Sequence, residues 1–168
     1  PNSIGGGVNY LSKDFERTNS TRLESSFGSF NTLQVKAENN WNWGSKVQMA
    51  TVVGRQQTDG YKELLDNFNT GFEKTDLLLK AKYKINKKHQ ISLKLGYADE
   101  TSNETYLGLT LDDFANNPFT RYAASEQDQM RWDQQRAQIR IQNQINSYSY
   151  VKTDIYNNRF QRTWDRLD

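Results

Sequence analysis

Leu77-Leu78-Leu79-Lys80-Ala81-Lys82-Tyr83-Lys84-Ile85 runs into Asn86-Lys87-Lys88, and His89-Gln90-Ile91-Ser92-Leu93-Lys94-Leu95-Gly96-Tyr97 runs back. On the first arm Leu77, Leu79, Ala81, Tyr83 and Ile85 share one side, and Leu78, Lys80, Lys82 and Lys84 take the other. On the second arm Ile91, Leu93, Leu95 and Tyr97 oppose Gln90, Ser92, Lys94 and Gly96. Successive side chains of a strand point to opposite faces, so a period of two predicts a hairpin with one apolar and one wet face. Arms of about ten residues exceed the ~5–6 usual in globular sheets and match a strand crossing a bilayer at a tilt. The stretch predicts a piece of an outer-membrane β-barrel.

Composition allows a membrane span only in barrel form. A mean hydropathy of −0.96 and 35% hydrophobic residues leave no run near the ~18 apolar residues of a membrane helix. A barrel wall needs apolar residues at alternate positions only, and its interior is polar. Aromatics at 12% suit interfacial girdles, although a soluble β-sandwich has a similar composition. A formal charge of +2 is too small to argue for nucleic acid, and the absence of cysteine excludes disulfides while leaving the compartment open. Pro1-Asn2-Ser3 opens no basic segment followed by an apolar core, so no signal peptide is read, and a piece of a longer protein is expected.

Along the chain, a small opening module precedes a run of hairpins. Residues 1–20 are rich in Gly, Ser and Asn, with a short strand-like core at Val8–Ser12. Gly5 to Gly7 suit a close approach of neighbouring chain, since no Gly-Lys-Ser/Thr follows to make a phosphate loop. Strands are expected at Arg22–Phe30 and Thr32–Trp43, then from Val47 to about Thr58. Residues 61–72 read as a polar loop with a helical turn at Lys62–Asp66. The longest loop is expected at about 98–133. Within it Thr110 and Asp113 resemble a capping box, starting a helix at Leu111–Asn116 that Pro118 ends. Ile139, Ile141 and Ile145 then alternate with Gln138, Arg140, Gln142 and Gln144. The four-residue recurrence of Trp132, Arg136 and Arg140 makes a helix conceivable, and the isoleucine spacing fits a strand better. After Asn146-Ser147 the last strand puts Val151, Thr153 and Ile155 outward, with Lys152, Asp154 and Tyr156 inward. Short and long connections therefore alternate, as in outer-membrane barrels.

Ser3-Ile4-Gly5-Gly6-Gly7-Val8-Asn9-Tyr10-Leu11-Ser12-Lys13 resembles the segment that closes the plug domain of TonB-dependent outer-membrane receptors. Phe27-Gly28-Ser29-Phe30-Asn31-Thr32 resembles the first barrel hairpin of that family. Ser45–Val53 with Thr58-Asp59-Gly60-Tyr61-Lys62 resembles its third strand and second outer loop. Leu109 to Pro118, Arg121-Tyr122-Ala123-Ala124-Ser125 and Asp128-Gln129-Met130 are similar to the third outer loop of the ferric-citrate receptor branch. The resemblance implies a plugged barrel of about 22 strands that imports a ferric chelate with energy transmitted by TonB. Residues 1–20 would then end the plug, and residues 21–168 would be roughly seven antiparallel transmembrane strands, the first third of the wall. The TonB-contacting region lies outside this sequence. An open sheet edge cannot persist in lipid, so further strands are expected to complete the wall.

Catalysis is not expected. His89 sits in a turn beside Lys87 and Lys88, where solvation explains it; Asp112-Asp113 suit a helix start better than a metal site. No cofactor is implied. For binding, Lys80, Lys94 and Arg140 give the inward face a basic character that attracts an anionic chelate, or else pairs with plug carboxylates. Among the long-loop residues Tyr106, Phe119, Arg121, Tyr122, Arg131 and Trp132, the arginines offer planar forks and the aromatics rigid contact area, with plain loop packing as the alternative. Trp41, Trp43, Tyr83, Tyr97, Tyr148 and Tyr150 read as anchors at the interfaces with membrane lipid. The expected activity is uptake of ferric citrate or another ferric siderophore across a bacterial outer membrane. The rivals are the same architecture with cobalamin or an oligosaccharide as cargo, and a soluble β-sandwich whose apolar faces meet each other.

Overall fold

The alternation becomes seven antiparallel strands, each hydrogen-bonded to the next in sequence: β1 (Ser20–Gly28), β2 (Thr32–Trp43), β3 (Val47–Thr58), β4 (Phe72–Lys84), β5 (His89–Asn103), β6 (Gln129–Gln144) and β7 (Tyr150–Asp165). The computed structural model describes residues 11–64 and 68–166. The sheet is open, with β1 and β7 as its edges. Connections 44–46, 85–88 and 145–149 are tight and share one end of the sheet, the turn end. Connections 29–31, 59–71 and 104–128 share the other, the loop end. The loop-end turn at 29–31 stays short because Phe30 and Asn31 take left-handed backbone, at φ 59° and 50°. That turn ends β1 at Gly28, two residues before the expected boundary.

Register decides what alternation alone leaves open. Leu23, Ala37, Val53, Leu77 and Tyr97 form one row across five strands. Trp41, Met49, Ala81, Leu93, Ile139 and Ile155 form another, and Trp43, Val47, Tyr83, Ile91 and Ile141 a third. All these side chains share one face. The loop-end limit of this apolar band descends across the sheet. On β2 it reaches Leu33; the same row reads Gln57, Glu73, Thr101 and Arg131 on β3 to β6. On β3 to β5 the band stops at the Val53 row, on β6 at Ala137 and on β7 at Ile155. A band oblique to the strands is what strands tilted through an apolar layer require.

There is almost no core. Leu64 and Ala98 are the buried hydrophobic residues among the described residues, while Leu23 is 71% and Ile155 61% exposed. No second sheet covers the apolar face among the described residues, contrary to the arrangement that the β-sandwich rival predicts.

Other boundaries shift for local reasons. β5 and β6 stay paired out to Asn103 and Gln129, so the long loop spans 104–128. Trp132, Arg136 and Arg140 lie on a strand, as the isoleucine spacing indicated. Helix α1 (Leu111–Asn116) starts where expected, with the Thr110 hydroxyl accepting the Asp113 N–H. Lys62–Leu64 is not helical: Glu63 makes a parallel bridge to Thr120, and Leu65 and Asp66 lie outside the described residues. The expected strand at Val8–Ser12 and Gly5 to Gly7 fall mostly or wholly outside them too; Leu11 and Ser12 are not in a strand.

Candidate functional site

The face opposite the apolar band is polar, and at the turn end it holds the segment 11–19. Asn40, 5% exposed, binds this segment with its side-chain amide. Its Oδ1 accepts the Glu16 N–H at 3.0 Å, and its Nδ2 donates to the Thr18 carbonyl at 2.9 Å and the Glu16 carbonyl at 3.2 Å. A side chain thus supplies the bonds that a neighbouring strand would otherwise supply. Lys80 donates to the Lys13 carbonyl. The ammonium groups of Lys80 and Lys82 lie 4.7 and 4.6 Å from the centre of the Phe15 ring, a cation–π arrangement. Lys82 also faces Asp14 at 4.0 Å. Hydrogen bonds from Lys13 and Ser20 hold the Glu16 carboxyl below the usual carboxylate range.

Beside this segment a cavity of about 460 Å³ is lined by Lys80, Lys94, Arg140 and Lys152. Lys80, Lys94 and Arg140 therefore meet on one surface. Arg140 makes a fork with Asp154 at 2.7 and 3.0 Å, and Lys80 is occupied by the segment, so both candidates already carry internal contacts. Tyr150, read as an interfacial anchor, shares this polar face by register and lies under Lys152 at 4.8 Å. Trp41, Trp43, Tyr83 and Tyr97 lie on the apolar face; Tyr148 is in the 145–149 turn, 97% exposed.

At the loop end the connections are knitted together. The Glu63 N–H donates to the Phe119 carbonyl at 2.8 Å, the Arg121 N–H to the Glu63 carbonyl at 2.7 Å, and Asn117 Nδ2 to the Glu63 carboxylate at 2.9 Å. The rings of Phe30, Tyr61 and Phe119 pair edge-to-face across all three connections, with centroids 6.4 and 6.3 Å apart. Arg121 Nη1 donates to the Pro118 and Thr120 carbonyls. Tyr122 donates to Asp113 at 2.5 Å and accepts the Thr110 N–H at 3.1 Å. Hydrogen bonds from Tyr122 and then Thr110 lower the Asp113 pKa. Lys62, Tyr106, Arg121 and Phe114 line a cavity of about 390 Å³ here.

The candidates do not all converge. Tyr106 and Arg121 share the loop cavity, Phe119 belongs to the ring series, and Tyr122 ties the loop to α1. Trp132 faces the polar side, where Lys74 lies over its ring at 5.7 Å. Arg131 points the other way, into the row above the apolar band, and pairs with Asp165 at 2.7 Å. The structure adds residues that the sequence reading did not single out. Phe160 packs on Trp132 with ring centroids 6.1 Å apart, and Trp164 meets Tyr106 edge-on at 5.9 Å. The Arg166 guanidinium covers both Tyr106 and Trp164, at 4.9 and 5.4 Å. Tyr156, Phe160 and Trp164 share Trp132's parity, and that spacing was the available signal. The result is a surface of aromatic planes and fixed cations, able to bind a flat or anionic molecule without covalent chemistry. No group of three or more His, Cys, Asp or Glu side chains that could hold a metal ion occurs among the described residues.

No family model and no curated protein matches the sequence. The fold is similar to the crystal structure of the ferric-catecholate import receptor Fiu from E. coli K12 in its open form, with a TM-score of 0.73 at 13% identity. The match covers 91% of this chain and 25% of that one, so the chain spans about a quarter of the receptor's length. At that identity the likeness is one of fold. The open seven-stranded antiparallel sheet resembles part of a barrel.

Proposed function

We propose that this chain forms wall and capture surface in a TonB-dependent receptor that takes up a ferric chelate, ferric citrate or another ferric siderophore, across a bacterial outer membrane. The observation that carries the reading is the oblique apolar band, exposed on one face of seven strands, with a polar, lysine-rich face behind it. Lipid is the solvent that makes such a face stable, because nothing in the described chain buries it. The seated segment 11–19 takes the place of the plug's exit, and the knitted loops take the place of the outer entrance. A barrel would continue beyond both open edges, and TonB would act through the plug. The chain's own contribution is binding, with no catalytic step. The fold neighbour is itself a ferric-catecholate import receptor, which supports a chelate as cargo.

The test is calorimetric titration of the intact receptor in detergent with ferric citrate, a ferric catecholate and cobalamin. A ferric chelate is expected to bind, and Arg121→Ala and Trp132→Ala to weaken it about tenfold or more, as truncated interface anchors do. Arg131→Ala, facing away, is expected to change it little. Cobalamin or an oligosaccharide binding in its place discards the cargo, and a protein soluble without detergent discards the membrane reading.

A further inference from the structure

The turn end of the sheet is a basic rim. Lys46 lies in the 44–46 turn, and Lys87 and Lys88 lie in the 85–88 turn that follows Lys84. The backbone gathers them: the Lys84 N–H donates to the Lys46 carbonyl at 2.8 Å, and the Gln144 N–H to the Lys88 carbonyl at 2.7 Å, drawing in the third turn. Asn86 Oδ1 accepts the Lys88 and His89 N–H groups at 2.8 and 2.9 Å, so the lysine-bearing turn is held in one shape. The spans 41–50, 80–94 and 138–153 contain no aspartate or glutamate. Asp14 and Asp154 are engaged by Lys82 and Arg140. Among the described residues Lys46, Lys84, Lys87 and Lys88 have no ion pair, and all four are exposed.

We infer that this rim binds the phosphodiester headgroups of anionic phospholipid in the leaflet at the turn end. The inference rests on the membrane reading above. The rim follows directly on the last rows of the apolar band, where Trp43, Tyr83 and Ile85 are 55%, 47% and 44% exposed. A turn lysine two or three residues beyond such a row, as Lys46, Lys87 and Lys88 are, lays its alkyl stem along the acyl boundary and its ammonium among the phosphates. An acidic soluble protein would satisfy the charge and leave the adjoining rings in water. A phospholipid satisfies both. The missing carboxylates leave the field of the turn lysines uncompensated.

The experiment places the intact protein in phosphatidylcholine nanodiscs first, and then measures lipid retention by native mass spectrometry from mixed phosphatidylglycerol and phosphatidylcholine. Phosphatidylglycerol is expected to be retained preferentially, with the preference falling roughly fivefold for each lysine removed in Lys46→Gln, Lys87→Gln and Lys88→Gln. The pair Lys87→Gln and Lys88→Gln, confined to the turn, gives the same trend without touching a strand. Equal retention of the two lipids overturns the inference, as does an unchanged preference in the triple variant. Displacement of phosphatidylglycerol by millimolar inorganic phosphate assigns the site to free anions and also overturns it. Failure to enter the phosphatidylcholine discs rejects the membrane reading, and the inference with it, at a separate step.

Discussion

At the scale of single residues, two polar groups do more than their exposure pattern suggests. Asn40 on β2 faces a segment more than twenty residues earlier, and its amide bonds three backbone groups there, one of which, the Glu16 carbonyl, also accepts from Asn42. Asn40→Leu keeps the volume and removes these three bonds, leaving the Glu16 N–H and the Thr18 carbonyl to find water or stay unpaired, at about 1–3 kcal/mol for each one left buried. Faster hydrogen exchange at the Glu16 amide, with unchanged exchange in β5, is the expected result. Asp113 is the second case. It accepts from Tyr122 and Thr110, and both bonds favour its charged form. A carboxyl whose folded pKa is depressed contributes stability above its ordinary value, here 3.8, and loses that contribution as pH falls through the lower folded value. The α1 cap should therefore hold at pH 4 and fray below it. Carboxyl-carbon NMR should give Asp113 a midpoint below 3.8, moving up toward that value in Tyr122→Phe.

At the scale of elements, each strand carries two different solvents' worth of side chains. On β4 and β5 the outward row at Leu79 and Leu95 lies inside the band, and Lys80 and Lys94 lie directly behind it. Leu79→Arg puts a guanidinium at mid-band and is expected to cost about 2–4 kcal/mol, the range for arginine on the lipid face at mid-depth. Reversible unfolding of the intact protein from liposomes would measure it, and Gln138→Arg on the polar face should cost far less. The period of two, the tight 85–88 turn and the α1 cap were all legible in the sequence, since each depends on residues within a few positions of one another. The helix considered for Trp132 to Arg140 gave way because β6 pairs along its whole length with both β5 and β7. The helical turn considered after Lys62 gave way, where it is described, to a bridge with a loop far along the chain.

At the scale of the whole molecule, the sheet is a wall with two open edges, little buried core, a knitted loop end and a basic turn end. Under the proposed function a bilayer would lie against the apolar face, which nothing among the described residues covers. Alternation in the sequence determined that each strand has an apolar and a wet side, because side-chain direction follows from local backbone geometry. It also determined which connections are tight. Only the tertiary structure decided which residues lie side by side, because pairing register depends on turns and partners distant in sequence. Register made the apolar band oblique, turned Arg131 away from Trp132, and brought Phe160 and Trp164 onto the polar face beside Trp132 and Tyr106. The seat of Glu16 on Asn40 and the join of Glu63 to Thr120 arose the same way, from contacts between segments whose local sequences carry no record of each other.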